Sequence, residues 1–282
     1  VDLSDTDFTG TILTNADLTN AILPDDILSG NNFESTIFDG VDFSGKDLSD
    51  SNFQYASFDN ANLEGVNLED ANFIQVDFTK IKNKSLAGAD LYGTSFAHSN
   101  LSGVNLDDTI VSQTNFWDVD LPGADFTVIS DKSSQGSQFL DANLPDSNFE
   151  GVDFAPKLLF TTVFKNKAHL KNLAPEPMVK ELWGDAPHIS IFSLEIRGND
   201  LAVNYILFNN FARANLENAN FKDADLRSTS FWLADLTNAN LSGADLRNAF
   251  FGNADLSNVN LSGANLEGTI LYDAILTGAN LK

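Results

Sequence analysis

Forty Asp and Glu residues, three histidines and no cysteine set the chemistry open to this chain. Paired carboxylates can act as general acid and base, rows of Asp can hold Ca²⁺ weakly, and clustered His can bind zinc. The spacing favours none of these. His98, His169 and His188 lie far apart, and no two of them have a metal-ligand separation. Glycines such as Gly65, Gly103, Gly243 and Gly263 stand singly at turn positions instead of clustering into a phosphate-cradling loop, and no Ser sits in a nucleophile elbow. Without Cys there are no disulfides and no thiolate nucleophiles, which leaves the redox compartment open. The expectation is a protein with no catalytic residues, no cofactor and no metal site.

The regular recurrence of the carboxylates gives them a plainer role. Taking Leu or Phe as a centre, the chain runs Leu3, Phe8, Leu13, Leu18, Leu23, Leu28, Phe33 and Phe38, and continues every fifth residue to Phe78. The phase slips by three residues near Lys80 to Ser85, resumes at Leu86 and runs to Phe126. It slips again over Ser130 to Gly136, resumes from Phe139 to Phe164, and after an interruption runs from Leu201 to Leu281. Nineteen of the 23 Phe occupy a centre, the exceptions being Phe160, Phe192, Phe208 and Phe250. Two places before the centre the residue is usually small, as at Ala16, Ala61, Ala142, Ala219 and Ala244, and the next is mostly Asp or Asn.

A period of five fits neither the 3.6 of a helix nor the 2.0 of a strand, so the chain must turn within every unit. The pattern Ala-(Asp/Asn)-(Leu/Phe)-X-X resembles the pentapeptide repeat family. That resemblance implies an all-β fold, a right-handed four-sided parallel β-helix with one pentapeptide per side and twenty residues per coil. The centre and the small residue two places before it then point inward. Stacking at a period of twenty puts Leu13, Phe33, Phe53 and Phe73 in one interior column, Leu18, Phe38, Phe58 and Phe78 in the next, and Phe211, Phe231 and Phe251 in a third. The 48 units in phase, four to a coil, make about 12 coils stacked ~4.8 Å apart. Each central residue contributes roughly 1.5–3 kcal/mol on burial against about 1.5 kcal/mol of ordering cost per residue. One coil is therefore unstable alone, and stacking is obligatory.

Three regions follow: an acidic solenoid over 1–164 with short corner loops near 80–85 and 130–136, an insertion over 165–200, and a second solenoid part over 201–282. The insertion carries Pro175, Pro177 and Pro187, which confine any helix to about Glu176 to Trp183, while His188 to Ile196 alternates like a strand. An extended hairpin and a small subdomain both fit. Three inward positions are polar, Asp26, Asn31 and Lys46, and read as local widening or partial exposure, with a buried ion pair or ligand contact as the sharper reading.

The net charge of −24 argues against nucleic acid and anionic membranes as direct partners. No run of 18 apolar residues exists, so no transmembrane segment is expected. The first residues, Val1 to Asp5, have no leader character, and a start inside a repeat fits a chain from which a leader or cap has been removed. Charge is uneven: residues 1–164 hold 27 acidic and six basic side chains, 165–200 five of each, and 201–282 eight and five. A solvated acidic face is the plain reading.

The resemblance implies two functions. One is a scaffold or protein-binding subunit of a larger photosynthetic or membrane-associated assembly, since such proteins occur in cyanobacteria and the thylakoid lumen; the bacterial cytoplasm or periplasm is the other compartment. The alternative is a DNA-mimicking modulator of a type II topoisomerase such as gyrase. Outward aromatics supply candidate partner contacts: Trp117, Trp232, Tyr92 and Tyr272 each follow a centre, and Trp183 lies in the insertion. Unpaired terminal coils offer end-to-end contact as a further mode of association.

Overall fold

A computed structural model describes residues 1–8, 11–24, 28–155, 157–164, 190–197, 200–207 and 209–282, the three segments within 157–207 by their backbone alone. Contacts divide the chain into two compact units: Val1–Ala155 together with Asn209–Lys282, and Pro156–Phe208.

In the first unit each pentapeptide makes one bridge and one turn. At Phe53 the backbone N–H donates to Asn72 C=O at 2.7 Å, and Tyr55 N–H donates to Ile74 C=O at 3.0 Å, both one coil on. Ala56 N–H returns to Phe53 C=O at 3.0 Å and closes the turn. The second residue after the centre has a left-handed backbone, as at Asn60 (φ 59°), Gly65 (φ 65°) and Asp70 (φ 54°). Gly, Asn and Asp tolerate that region best, which explains their recurrence there.

Parallel bridges join the residues just before the centres, such as Asn32 to Asn52 and Asn52 to Asn72. The offset is 20 along regular coils, 23 where a slip intervenes, and 72 where the second unit intervenes. One such row runs without a break from Ile12 through Asn72, Asn115, Gln138, Asn210 and Phe250 to Ile270. It defines a single face of the coil stack across both slips and the second unit.

Behind that face the rings of Phe33, Phe53, Phe73, Phe96, Phe116, Phe139, Phe211, Phe231 and Phe251 stack 4.6–5.9 Å apart, with planes within 4–17°. Phe211, Phe231 and Phe251 thus continue the first column instead of forming a third. Two shorter columns hold Phe38, Phe58 and Phe78, and Phe126, Phe149 and Phe221. Offset stacking at this spacing adds to the burial of each ring.

Small residues fill the remaining interior. Several of those with a hydroxyl donate it to a central carbonyl of the coil before, as from Thr36 to Leu13, Ser99 to Phe73 and Thr114 to Leu91, each at 2.7 Å, whereas Thr109 bonds Leu106 C=O of its own turn and the Thr229 hydroxyl is buried without a partner. Asn31 is fully buried instead of partly exposed, its amide donating to Leu28 C=O at 3.1 Å and its carbonyl accepting from Thr11 N–H at 3.0 Å. The half-buried Lys46 ammonium donates to Pro24 C=O at 3.1 Å. Asp26 lies outside the described residues.

Both slips are absorbed by short 3₁₀ turns, Phe78–Lys80 and Lys82–Lys84 at the first and Ser130–Lys132 at the second. Each contains two successive left-handed residues, Asn83-Lys84 and Asp131-Lys132, behind a buried isoleucine, Ile81 or Ile129.

The second unit contains β1 (Lys157–Phe164), β2 (Ser190–Arg197) and β3 (Asp200–Leu207), an antiparallel sheet in the order β1-β3-β2. Leu159 and Phe164 lie in β1, and Leu201 and Ile206 in β3, although all four stand in phase with the repeats. The fivefold spacing is incidental there: Leu158, Val163 and Tyr205 precede three of these residues where Asp or Asn is the rule, only Leu201 follows an Asp, and Thr161 and Val203 occupy the would-be left-handed position. β-branched residues favour an extended strand instead. The compact unit accordingly spans 156–208, beyond the 165–200 read from sequence. Trp183 and the stretch 176–183 lie outside the described residues.

Candidate functional site

Many of the acidic side chains are tied into the backbone. The Asp before a centre accepts the N–H two residues on, as Asp17 does from Thr19 at 3.0 Å and Asp47 from Ser49 at 3.1 Å. Between coils, Asn amides separate carboxylates: Asn62 donates to Asp42 and Asn67 to Asp47, each at 3.0 Å. The Ser44 hydroxyl, then the Ser44 N–H, hold the Asp42 carboxyl below the usual carboxylate range. Where Asp225 and Asp245 stack directly, Arg227 and Arg247 each pair with the Asp of their own turn at 2.7 and 2.5 Å. Asn220, Asn240, Asn260 and Asn280 form an amide ladder with steps of 3.1–3.2 Å. These are structural roles.

The long bridge row defines a different kind of surface. On its face the first residue after each centre gives its carbonyl to the coil before: Trp117 accepts from His98, Leu140 from Asp118, Ala212 from Asp141, Trp232 from Arg213, Gly252 from Leu233 and Tyr272 from Asn253. Trp117, Trp232 and Tyr272 therefore occupy one row, 40%, 41% and 68% exposed. Beside it Leu233 and Ile270 are exposed and Phe250 is half-buried.

A polar cluster occupies the upstream end of the row. The rings of His98 and Trp117 are 4.5 Å apart, and His98 Nδ1 lies 2.8 Å from Asp118 Oδ2. Asp141 receives two bonds of 2.6 Å from the Arg213 guanidinium and one of 3.2 Å from Trp117 Nε1. Arg213 first, with burial opposing and Trp117 adding, holds the Asp141 carboxyl below the usual range, and the same pairing raises Arg213.

The turn residues flanking the row include His98 (φ 60°), Arg213 (φ 58°) and Leu233 (φ 58°). Left-handed backbone costs such side chains roughly 1–2 kcal/mol each. Strained positions that bear bulky, exposed side chains point to a constraint other than stability.

Of the five outward aromatics, the structure thus brings three together. Tyr92 stands on the neighbouring face, half-buried, with Gln113 Nε2 donating to its hydroxyl, and Trp183 lies outside the described residues. Sequence reasoning missed His98, Arg213, Leu233, Phe250 and Ile270. Two signals were present: Phe250 is off-centre, and Leu233 sits where Asn or Gly is the rule.

A family model for pentapeptide repeats matches eight copies, over residues 1–25, 47–82, 85–127, 214–253, 234–272 and 251–282, which together exceed half of the chain. The chain belongs to the pentapeptide repeat family. Membership carries the right-handed β-helix, and the parallel bridges at twenty residues are its coils. No catalytic family is indicated for this pentapeptide repeat protein.

Solved structures that it resembles include HetL from the cyanobacterium Nostoc sp. strain PCC 7120, a pentapeptide repeat protein involved in heterocyst differentiation regulation, at 21% identity over 88% of each chain and a TM-score of 0.39. A pentapeptide repeat protein of the Arabidopsis thaliana thylakoid lumen is 46% identical over 26% of this chain and 51% of that one, with a TM-score of 0.25. QnrB1, a plasmid-mediated fluoroquinolone resistance protein, is 17% identical over 84% of this chain and 92% of that one, with a TM-score of 0.30. No curated protein matches the chain by sequence. Among the described residues no helix is long and apolar enough to cross a membrane, and no group of three or more His, Cys, Asp or Glu is placed to hold a metal ion.

Proposed function

We propose that this pentapeptide repeat protein is a non-enzymatic scaffold that binds a protein partner through the face carrying Trp117, Trp232 and Tyr272. One observation carries the reading: three outward aromatics far apart in sequence fall in a single exposed row. Aromatic side chains anchor interfaces because they bury much surface with little loss of rotamer freedom. A larger photosynthetic or membrane-associated assembly is the proposed setting. On the family resemblance, the thylakoid lumen and the bacterial cytoplasm or periplasm are the compartments in which to seek it.

The test is quantitative co-purification of the tagged chain with its partner from the native source. A Trp117→Ala/Trp232→Ala chain that folds normally should lose the partner. Undiminished recovery would end this reading.

DNA mimicry of a topoisomerase substrate is the second reading, favoured by the excess of acidic over basic side chains in residues 1–164. It is the weaker one, because many of those carboxylates are held in turns and ladders. Inhibition of gyrase supercoiling by the purified chain at micromolar concentration would reverse the order.

A further inference from the structure

Beyond Trp117 the aromatic row has a regular relief. From Leu140 through Ala212, Trp232 and Gly252 to Tyr272 it alternates large, small, large, small, large, one residue per coil. The Phe250 ring lies over Gly252, where an added Cβ would stand 2.5 Å from the ring's Cζ. Trp232 and Tyr272 are thus two ridges, and the hollow between them is floored by a phenyl ring.

The spacing of the ridges selects a ligand shape. The rings directly behind this stretch, Phe231 and Phe251, are 4.7 Å apart. Two coils at ~4.8 Å each separate Trp232 from Tyr272 by ~9.6 Å. A polyproline II helix rises about 3.1 Å per residue with three residues per turn, so it presents the same edge every ~9.3 Å. Aromatic-lined hollows are the usual receptors for such helices, whose ordering cost is already small.

Charge selects the ligand's composition. Asp235, Asp255 and Asp273 border the hollow on the side the chain turns toward after Leu233, Asn253 and Tyr272, and among the described residues no ion pair reaches them. On the opposite side Arg227 and Arg247 are held by Asp225 and Asp245. The field left over is negative and calls for a cationic partner.

We propose that the face bounded by Trp232 and Tyr272 binds a proline-rich peptide segment bearing Lys or Arg, laid across successive coils with its prolines between the ridges. This inference rests on the scaffold reading and specifies the partner's chemistry.

Fluorescence anisotropy with the full chain and a labelled peptide of repeated Pro-Pro-Arg units tests it. Two control peptides replace Pro by Ala or Arg by Glu. The Pro-Pro-Arg peptide should bind, and affinity should fall about tenfold or more with either control and with Trp232→Ala or Tyr272→Ser. Both substituted side chains are exposed, and circular dichroism verifies that the variants fold. Equal binding of the Pro→Ala control would show attraction by charge alone and overturn the proposal. So would affinity unchanged in both variants, or binding of a soluble glucan, in place of the peptide, that the same substitutions abolish. Co-purification of the native partner is measured in parallel. Should peptide binding fail while that association still depends on Trp232, this inference falls and the scaffold reading stands; loss of both dependences removes both.

Discussion

Phe139 and Phe211 stack with ring centroids 4.6 Å apart and planes 4° from parallel, although Pro156–Phe208 separates them in sequence. Asn209, buried beside them, donates from Nδ2 to Phe154 C=O at 2.5 Å, so the chain leaves and re-enters the coil at neighbouring positions. Phe211 takes the place that the fifth residue after Phe154 would hold. Replacing Pro156–Phe208 by a single Gly restores the five-residue spacing, with the Gly at the left-handed turn position. The shortened chain is expected to keep its β-rich circular dichroism and a cooperative thermal transition. Loss of both would show that the coils need the second unit to close.

Ser134 occupies a centre, a place otherwise taken by Leu, Phe or Val, and its hydroxyl is buried with no hydrogen-bond partner. Removing an unsatisfied buried hydroxyl relieves a desolvation cost on the order of 1 kcal/mol. Ser134→Ala should therefore raise the urea midpoint by an equivalent amount, and a lowered midpoint would contradict this account.

Acid should weaken the fold in a defined direction. Asp42 accepts from the Ser44 N–H at 3.0 Å, the Ser44 hydroxyl at 2.7 Å and Asn62 Nδ2 at 3.0 Å, and its carboxyl is held below the ordinary value. A group whose pKa is lower folded than unfolded stabilises the fold above its unfolded value, and that contribution is lost as pH falls through the folded one. Denaturant midpoints should be level above about pH 5 and fall below about pH 4. Asp42→Asn keeps an acceptor for the turn without the titration, so its midpoint should fall less steeply in acid.

Leu233 is exposed and left-handed. Leu233→Asn should raise stability by about 1 kcal/mol, since Asn tolerates that backbone. The same change removes apolar surface beside Trp232 and should weaken partner binding. A variant that gains stability and keeps full binding would take Leu233 out of the interface.

The repeat was legible because two constraints recur with one period: an apolar centre that must be buried, and a turn residue that must tolerate left-handed backbone. Phe38, Phe58 and Leu63, followed two places on by Gly40, Asn60 and Gly65, satisfied both. Leu159, Leu201 and Ile206, with Thr161, Val203 and Phe208 two places on, satisfied only the first, and the structure places them in β1 and β3; Phe164, with Asn166 two places on, satisfied both by spacing and still lies in β1, so the turn position discriminates three of the four. The single Phe column was hidden because the side on which Phe211 falls depends on where the chain re-enters after Phe154. For the same reason Trp117 was readable as outward but not as a member of the row of Trp232 and Tyr272. Trp232 and Tyr272, two regular coils apart, align at the twenty-residue period, whereas Trp117 joins their row only with the 23- and 72-residue offsets in hand.

The paired left-handed residues Asn83-Lys84 and Asp131-Lys132 lengthen a corner by three residues while the Phe column runs on undisturbed. Chain length at the periphery is thereby uncoupled from register within. Relatives can gain or shed residues at these splice points without repacking a single ring. Blocks of coils can be exchanged as cassettes only if they are cut at matching corners, whereas a cut made at a constant twenty-residue interval would join one face to the flank of another.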